Sequence, residues 1–287
     1  MTAARIWDDR VCDLGEGPLW HPERQQLFWF DITGRRLLSR DGDEALEWQW
    51  DEMISAAGWV DRDTLMVVGE TGFWRFDIAS GDRDKIADLE PDDTVTRSND
   101  GRADPVGGFW VGTMGKSAEP ERGAIYRYFR GEVRKLFHAI TIPNSICFAP
   151  EGTLAYFTDT AKGVIWRQAI DRAGWPSGRR EVFLDFSGMG LNPDGAVCDA
   201  AGNIWIAQWG VGRVACHGPD GKFRRAVLCG AAQTSCPAFG GADLRTMFVT
   251  SATEGLSEDA LAPMPGSGRT WAADMDITGL KERKVVL

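Results

Sequence analysis

No stretch of about 18 consecutive apolar residues occurs in the chain, which excludes a transmembrane helix. The first ten residues, Met1 to Arg10, contain no apolar segment and do not read as a signal peptide. Positive charge is in short supply: 32 Lys and Arg stand against 42 Asp and Glu, for a net charge of −10. Nucleic acid and anionic membranes both call for a basic face, so neither is expected as a partner. Histidine is scarce too. The three histidines, His21, His138 and His217, lie far apart, and no GxSxG elbow accompanies them, so nothing marks a Ser-His-Asp hydrolase. The six cysteines match no CxxC or zinc spacing and several fall inside apolar runs. They read as reduced thiols of a cytoplasmic protein rather than as a disulfide framework. Helical periodicity is missing over any long window, while 34 glycines and 13 tryptophans fit short strands joined by tight turns.

The stretch Thr96 to Gly115, TRSNDGRADPVGGFWVGTMG, shows the pattern that is present. A polar cluster (Arg97, Asn99, Asp100) leads through a Pro/Gly turn at Pro105 to Gly108 into the apolar run Phe109, Trp110, Val111. Taken alone, Asp100-Gly101 is ordinary hairpin chemistry. The layout recurs, however. Apolar strand-like runs start at Leu27, Leu65, Phe109, Leu154, Ile204 and Met247, which are 38, 44, 45, 50 and 43 residues apart. Most are followed by another short strand, as at Gly72 to Phe76, Ala124 to Tyr128 and Val164 to Arg167. Six such units predict an all-β fold, a six-bladed β-propeller with four-stranded antiparallel blades, occupying residues 1–287 as a single domain. A pair of β-sandwiches would not need the period, and the WD-repeat and kelch signatures are absent. The last unit is short of strands. The segment Arg5 to Val11 is therefore expected to pair with Thr270 to Asp274, closing the ring and removing an open edge. A closed ring with few free edges is expected to be monomeric.

Ten residues before each run stand Gly17, Ser55, Asn99, Asn144, Asp194 and Pro237, and eleven before the first stands Glu16. Each precedes a short segment read as the innermost strand of its unit, so these positions should meet at one mouth of the central channel. Four units thereby offer Glu16, Asn99 with Asp100, Asn144 and Asp194; Ser55 and Pro237 offer no obvious ligand. Two carboxylates within about 4 Å repel by about 4 kcal/mol at an effective dielectric near 20, and a cation between them reverses the sign. Carboxylate and amide oxygens suit Ca2+, Mg2+ or Mn2+; Zn2+ more often recruits His or Cys. The triplet Pro193-Asp194-Gly195 is turn chemistry, as are Pro150-Glu151-Gly152 and Pro219-Asp220-Gly221, but those two fall at ordinary hairpins and Asp194 does not. Glycines beside Glu16 let backbone crowd a site. Arg97 can donate hydrogen bonds to a ligand oxygen. The tryptophans read as core, with Trp209 a candidate for the pocket wall.

The segments LGEGPLW (14–20), RSNDGRADPVGGFWVGTM (97–114), IPNSICFAPEG (142–152), NPDGAVCDAAGNIWIAQWG (192–210) and CPAFGGADLRTMFVT (236–250) together resemble the regucalcin/gluconolactonase/luciferin-regenerating-enzyme family over nearly the whole chain. The resemblance implies a six-bladed propeller with one divalent metal ion in its channel, held by Glu16, Asn144 and Asp194. It implies substrate contacts from Arg97 and Asn99, with Asp100 near the site, and a lactonase acting on sugar lactones. Family members carry an acidic residue soon after the GTM segment; here the loop reads Gly115-Lys-Ser-Ala-Glu119-Pro-Glu121, and Glu119 or Glu121 is the candidate to replace it.

The expected function is hydrolysis of an aldonolactone to the aldonic acid, with Asp194 as general base for the attacking water. A Ca2+-binding regulatory protein without turnover is the alternative. A metal-assisted organophosphate hydrolase is a third reading, disfavoured by the sugar-binding Arg97-x-Asn99 pair.

Overall fold

A computed structural model describes residues 1–287. Twenty-five β-strands account for almost all regular structure; one helical turn, Glu258–Leu261, and a 3-10 turn, Thr160–Lys162, are the exceptions. No helix is long and apolar enough to cross a membrane.

The chain is an all-β propeller, but its sheets are not the six separate four-stranded blades expected. Four blades of that kind form, each antiparallel and in chain order, beginning with the strands Gly15–His21, Ile54–Asp61, Thr96–Ala103 and Pro143–Phe148. The remaining nine strands form one continuous sheet. Two features join them. Trp209 at the end of Ile204–Trp209 pairs with Gln233 at the start of Gln233–Gly240, so two strand groups share a ladder. The N-terminal residues then bridge the outer edges: Thr2–Ala3 pairs in parallel with Phe223–Leu228, and Arg5–Asp8 pairs antiparallel with Thr270–Asp274. Both ends of the sheet are thus the same segment, Thr2 to Asp8, and the sheet almost closes on itself. The expected pairing of the N-terminal segment with Thr270–Asp274 forms, over Arg5–Asp8, but the Thr2–Ala3 and Trp209–Gln233 pairings leave no hydrophobic pattern for a strand count to read.

The innermost strands pack side by side around the channel, each against the next and Gln233–Gly240 against Gly15–His21. Serine hydroxyls tie three of these junctions: Ser55 donates to the Asn99 carbonyl, Ser145 to that of Asp194 and Ser235 to that of Gly15. The second strands are the buried layer. Trp29, Trp110 and Trp205 sit in them with no exposed surface and fill the space between neighbouring sheets. Burying such side chains contributes about 1.5–3 kcal/mol each.

All six innermost strands break register against their partners, at Glu16/Leu19, Ile54/Ala56, Ser98/Gly101, Asn144/Cys147, Pro193/Ala196 and Thr234/Pro237. A bulge re-aims side chains, and here it turns the strand starts toward the channel. At the first bulge Gly17 adopts φ 54°, where a Cβ would stand 2.2 Å from the Ser55 carbonyl oxygen, so no other residue fits beside Glu16. The far ends of these strands are covered by the C-terminal residues: Val285 N–H bonds to Trp59 O, Arg283 to Pro150 O, and Glu282 pairs with Arg102.

Candidate functional site

The bulged strand starts open into a cavity of about 340 Å3 whose wall includes Glu16, Arg97, Asn99, Asn144 and Asp194. Four residues placed together by register, Glu16, Asn99, Asn144 and Asp194, are therefore neighbours in space, with Arg97 beside them. A chain of hydrogen bonds fixes their polar atoms. Arg97 Nη1 donates to Asn99 Oδ1 (2.8 Å), Asn99 Nδ2 to Asn144 Oδ1 (2.9 Å), Asn144 Nδ2 to Thr160 Oγ1 (3.0 Å), and Thr160 Oγ1 to the Pro193 carbonyl (2.7 Å). Asn99 Nδ2 also donates to the Pro143 carbonyl. Each amide thus has one orientation only, with the carbonyl oxygen of Asn144 keeping a spare lone pair.

The carboxylates are held at a cost. Burial pushes Glu16 up to about 8, helped by the charge of Asp100, while the Gly17 N–H and Arg97 oppose the rise. Asp194 is driven well above the carboxylate range by burial and then by Glu16 and Asp100. Asp100 rises to about 6 by burial, restrained by Arg102 and the N–H groups of Ile146 and Gly101. Burial also lowers Arg97, against the charges of Glu254, Glu16, Asp194 and Glu70.

Donor chemistry fits a hard divalent cation. Glu16 receives one hydrogen bond, from Gly17 N–H at 2.9 Å, and only the Gly195 N–H and Arg97 oppose the rise of Asp194. Two under-satisfied buried carboxylates, together with an oriented amide oxygen, form an oxygen donor set of the kind Ca2+, Mg2+ or Mn2+ takes. No three His, Cys, Asp or Glu side chains stand at ligating spacing, so the set reaches three only through the Asn144 oxygen. Neither a histidine nor a cysteine lines the cavity, which disfavours Zn2+.

These shifts fix a pH dependence. A carboxylic acid whose folded pKa is raised stabilises the fold below its unfolded pKa, and that contribution is lost as pH rises through the folded value. For Glu16 the loss runs from about 4.5 to about 8. His21 and His217, both lowered by burial, act in the opposite direction but only near and below their ordinary range. Chelator-treated protein is therefore expected to lose about 2–4 °C in Tm between pH 7 and 8, and Glu16→Gln to flatten that slope. A wild-type Tm independent of pH in this interval would contradict the buried-carboxylate arrangement.

Three sequence candidates do not line the cavity, although Asp100 stays close enough for its charge to raise Glu16 and Asp194. Asp100 does not line the cavity: its Oδ2 accepts from Ile146 N–H at 2.6 Å, behind the wall, and so ties down the neighbouring bulge. Glu119 faces its own loop, where Oε2 accepts from Ser117 N–H at 3.1 Å, and Glu121 is paired with Lys162 on the surface. The wall beside Arg97 comes instead from Met114, Lys116, Ser117 and Ala118. Thr160, Trp209 and Glu254 extend it. Of these, Trp209 was legible as a wall candidate and the others were not. They share a position: each lies at or just past the end of a second strand, Phe109–Gly115, Leu154–Asp159, Ile204–Trp209 or Thr246–Ala252. Second strands run antiparallel to the innermost ones, so their ends reach the same mouth. The period that located the strand starts could have located these too.

Residues 14–253 match the family model of the SMP-30/Gluconolactonase/LRE-like region. A 6-deoxy-6-sulfogluconolactonase of Pseudomonas putida is 34% identical over 276 residues, 94% of each chain. An L-arabinolactonase of Azospirillum brasilense is 34% identical over 286 residues, covering 96% of this chain and 93% of that one. Among solved structures, a calcium-binding protein, regucalcin, from Agrobacterium tumefaciens superposes with a TM-score of 0.98 at 39% identity, covering all of this chain and 98% of the other. The chain belongs to the SMP-30/gluconolactonase/LRE-like family.

Proposed function

We propose that the protein is a metal-dependent sugar lactonase that opens an aldonolactone to its aldonic acid. The observation that carries this reading is the meeting of Glu16, Asn144 and Asp194 with Arg97 and Asn99 in one cavity, in a chain whose relatives over nearly its full length are named lactonases.

Glu16, Asn144 and Asp194 are the residues that would hold the ion. When bound, a divalent cation supplies positive charge to the lactone carbonyl oxygen as it becomes an oxyanion. Asp194 takes a proton from water on a carboxylate oxygen as the water oxygen adds to the carbonyl carbon. Breaking the ring C–O bond leaves an alkoxide, which recovers that proton from Asp194. Arg97 donates to the substrate's carbonyl or hydroxyl oxygens through the nitrogens not used on Ser98 and Asn99. Asn99 has both amide hydrogens committed, so it serves substrate only as an acceptor. Trp209, Ile142 and Met114 offer apolar wall to the ring. The product is an anion, and a chain of net charge −10 favours its release.

Acid release from a panel of pentono- and hexonolactones, before and after chelation and with single metals restored, tests the proposal. Hydrolysis above the spontaneous rate, lost on chelation and recovered with one metal, is expected. Folded protein that accelerates no lactone with any metal would refute it. Ca2+ binding without turnover, the reading suggested by the calcium-binding neighbour, then becomes the account to test. Glu16→Gln is expected to weaken metal binding by at least tenfold, since one charged ligand is lost; unchanged affinity by calorimetry would remove Glu16 from the ligand set.

A further inference from the structure

Glu254 has no part in the chemistry described above, yet it lines the same cavity. Its carboxylate receives no hydrogen bond and forms no ion pair at contact distance, although the residue is half-buried. Its backbone, by contrast, is pinned. Thr253 N–H and Glu254 N–H both donate to the Asp13 carbonyl at 2.9 Å, and Gln233 Nε2 donates to the Glu254 carbonyl at 3.0 Å. A flexible surface glutamate would show none of this. The backbone that carries it is held in place, and the carboxylate acts electrostatically on Arg97 and presents acceptor lone pairs to the cavity with nothing in the protein to fill them. A carboxylate can only accept, so the complementary ligand group is a donor, and the donor a sugar lactone offers is hydroxyl.

We infer that Glu254 is a specificity-determining residue that binds a hydroxyl group of the sugar ring or its side chain, supplying from the Thr246–Ala252 end of the cavity the acidic contact that the loop after Gly115 does not provide. On that loop the polar wall residues are Lys116, whose Nζ pairs with Glu70 at 3.2 Å, and Ser117. The inference rests on the lactonase reading for its kinetic test but not for its binding test. It selects neutral polyhydroxylated lactones over lactones without hydroxyls.

The kinetic test compares glucono-1,5-lactone with δ-valerolactone, which has the same six-membered ring and no hydroxyls. Glu254→Gln is expected to raise KM for gluconolactone by about tenfold, the scale of one hydrogen bond to a charged acceptor, with kcat within about twofold. The kinetics with δ-valerolactone should not change. An equal loss on both lactones would mean that Glu254 acts on the protein rather than on a hydroxyl, and no loss on gluconolactone would overturn the assignment outright. The binding test is titration of full-length protein with glucitol, which cannot be hydrolysed. Affinity about tenfold weaker in Glu254→Gln supports the inference whether or not any lactone is turned over. No glucitol binding by the wild-type protein, or equal binding by both proteins, overturns it.

Discussion

Asp194→Asn is expected to lower kcat by about 10²–10⁴-fold at saturating metal, the usual consequence of removing a general base, while leaving the fold intact. The substitution is isosteric, and the main-chain contact at this position survives because Ser145 donates to the Asp194 carbonyl, not to the side chain. The variant should be no less stable than wild type in chelator at neutral pH. The carboxylate sits in a buried site where Glu16 and Asp100 disfavour its ionised form, and an amide removes that repulsion. Two measurements separate the base role from the ligand role. Calorimetry gives the metal concentration needed to fill the variant, so that turnover is compared between loaded proteins. The pH profile of kcat/KM then shows whether the acidic limb, set in wild type by protonation of the base, has gone. Wild-type turnover by metal-loaded Asp194→Asn would assign the proton transfer to another group.

The features legible in the sequence were those that depend on spacing. Glu16, Asn99, Asn144 and Asp194 sit at equivalent points of a repeat, and a closed ring brings equivalent points together whatever lies between them. Asp194 and Asp220 stand in the same Pro-Asp-Gly triplet. One is buried in the cavity wall, and the other turns a surface hairpin and pairs with Arg224. Only the register distinguishes them. What spacing could not reveal depends on local folding. Glu119 lies in the right loop but turns back to cap Ser117 N–H, and Asp100, next to Asn99, turns away from the cavity to Ile146 N–H, since successive side chains of a strand point to opposite faces. The merged nine-stranded sheet escaped for the same reason. It depends on a single Trp209–Gln233 pairing and on N-terminal residues that reach both outer edges, and of these contacts only the pairing with Thr270–Asp274 was legible.

Asp104→Ala is expected to destabilise the fold by about 3–5 kcal/mol, roughly 10 °C or more in Tm. It should leave KM and kcat unchanged when measured well below the transition. Asp104 lies four residues from Asp100 in the stretch that first suggested the repeat, and its task is different. Its Oδ1 accepts the N–H groups of Val106 and Gly108, each at 2.9 Å, and so closes the Pro105 to Gly108 turn. Its Oδ2 accepts from Arg127 Nε at 2.6 Å, and neither side chain has any exposed surface. The Arg127 guanidinium lies 4.2 Å from the Trp175 ring and 4.8 Å from that of Phe129, and Nη1 and Nη2 have no hydrogen-bond partner. Asp104 is therefore the sole counter-charge of a guanidinium buried among aromatic rings. Removing it strands that charge and opens a turn whose strand, Phe109–Gly115, carries Trp110 into the core. Replacing both partners, as in Asp104→Ala with Arg127→Met, removes the stranded charge and should recover part of the loss. The remaining deficit measures the two turn hydrogen bonds. A Tm within about 2 °C of wild type for Asp104→Ala alone would mean that Arg127 finds solvent or another acceptor. The buried pair would then contribute little to holding this blade together.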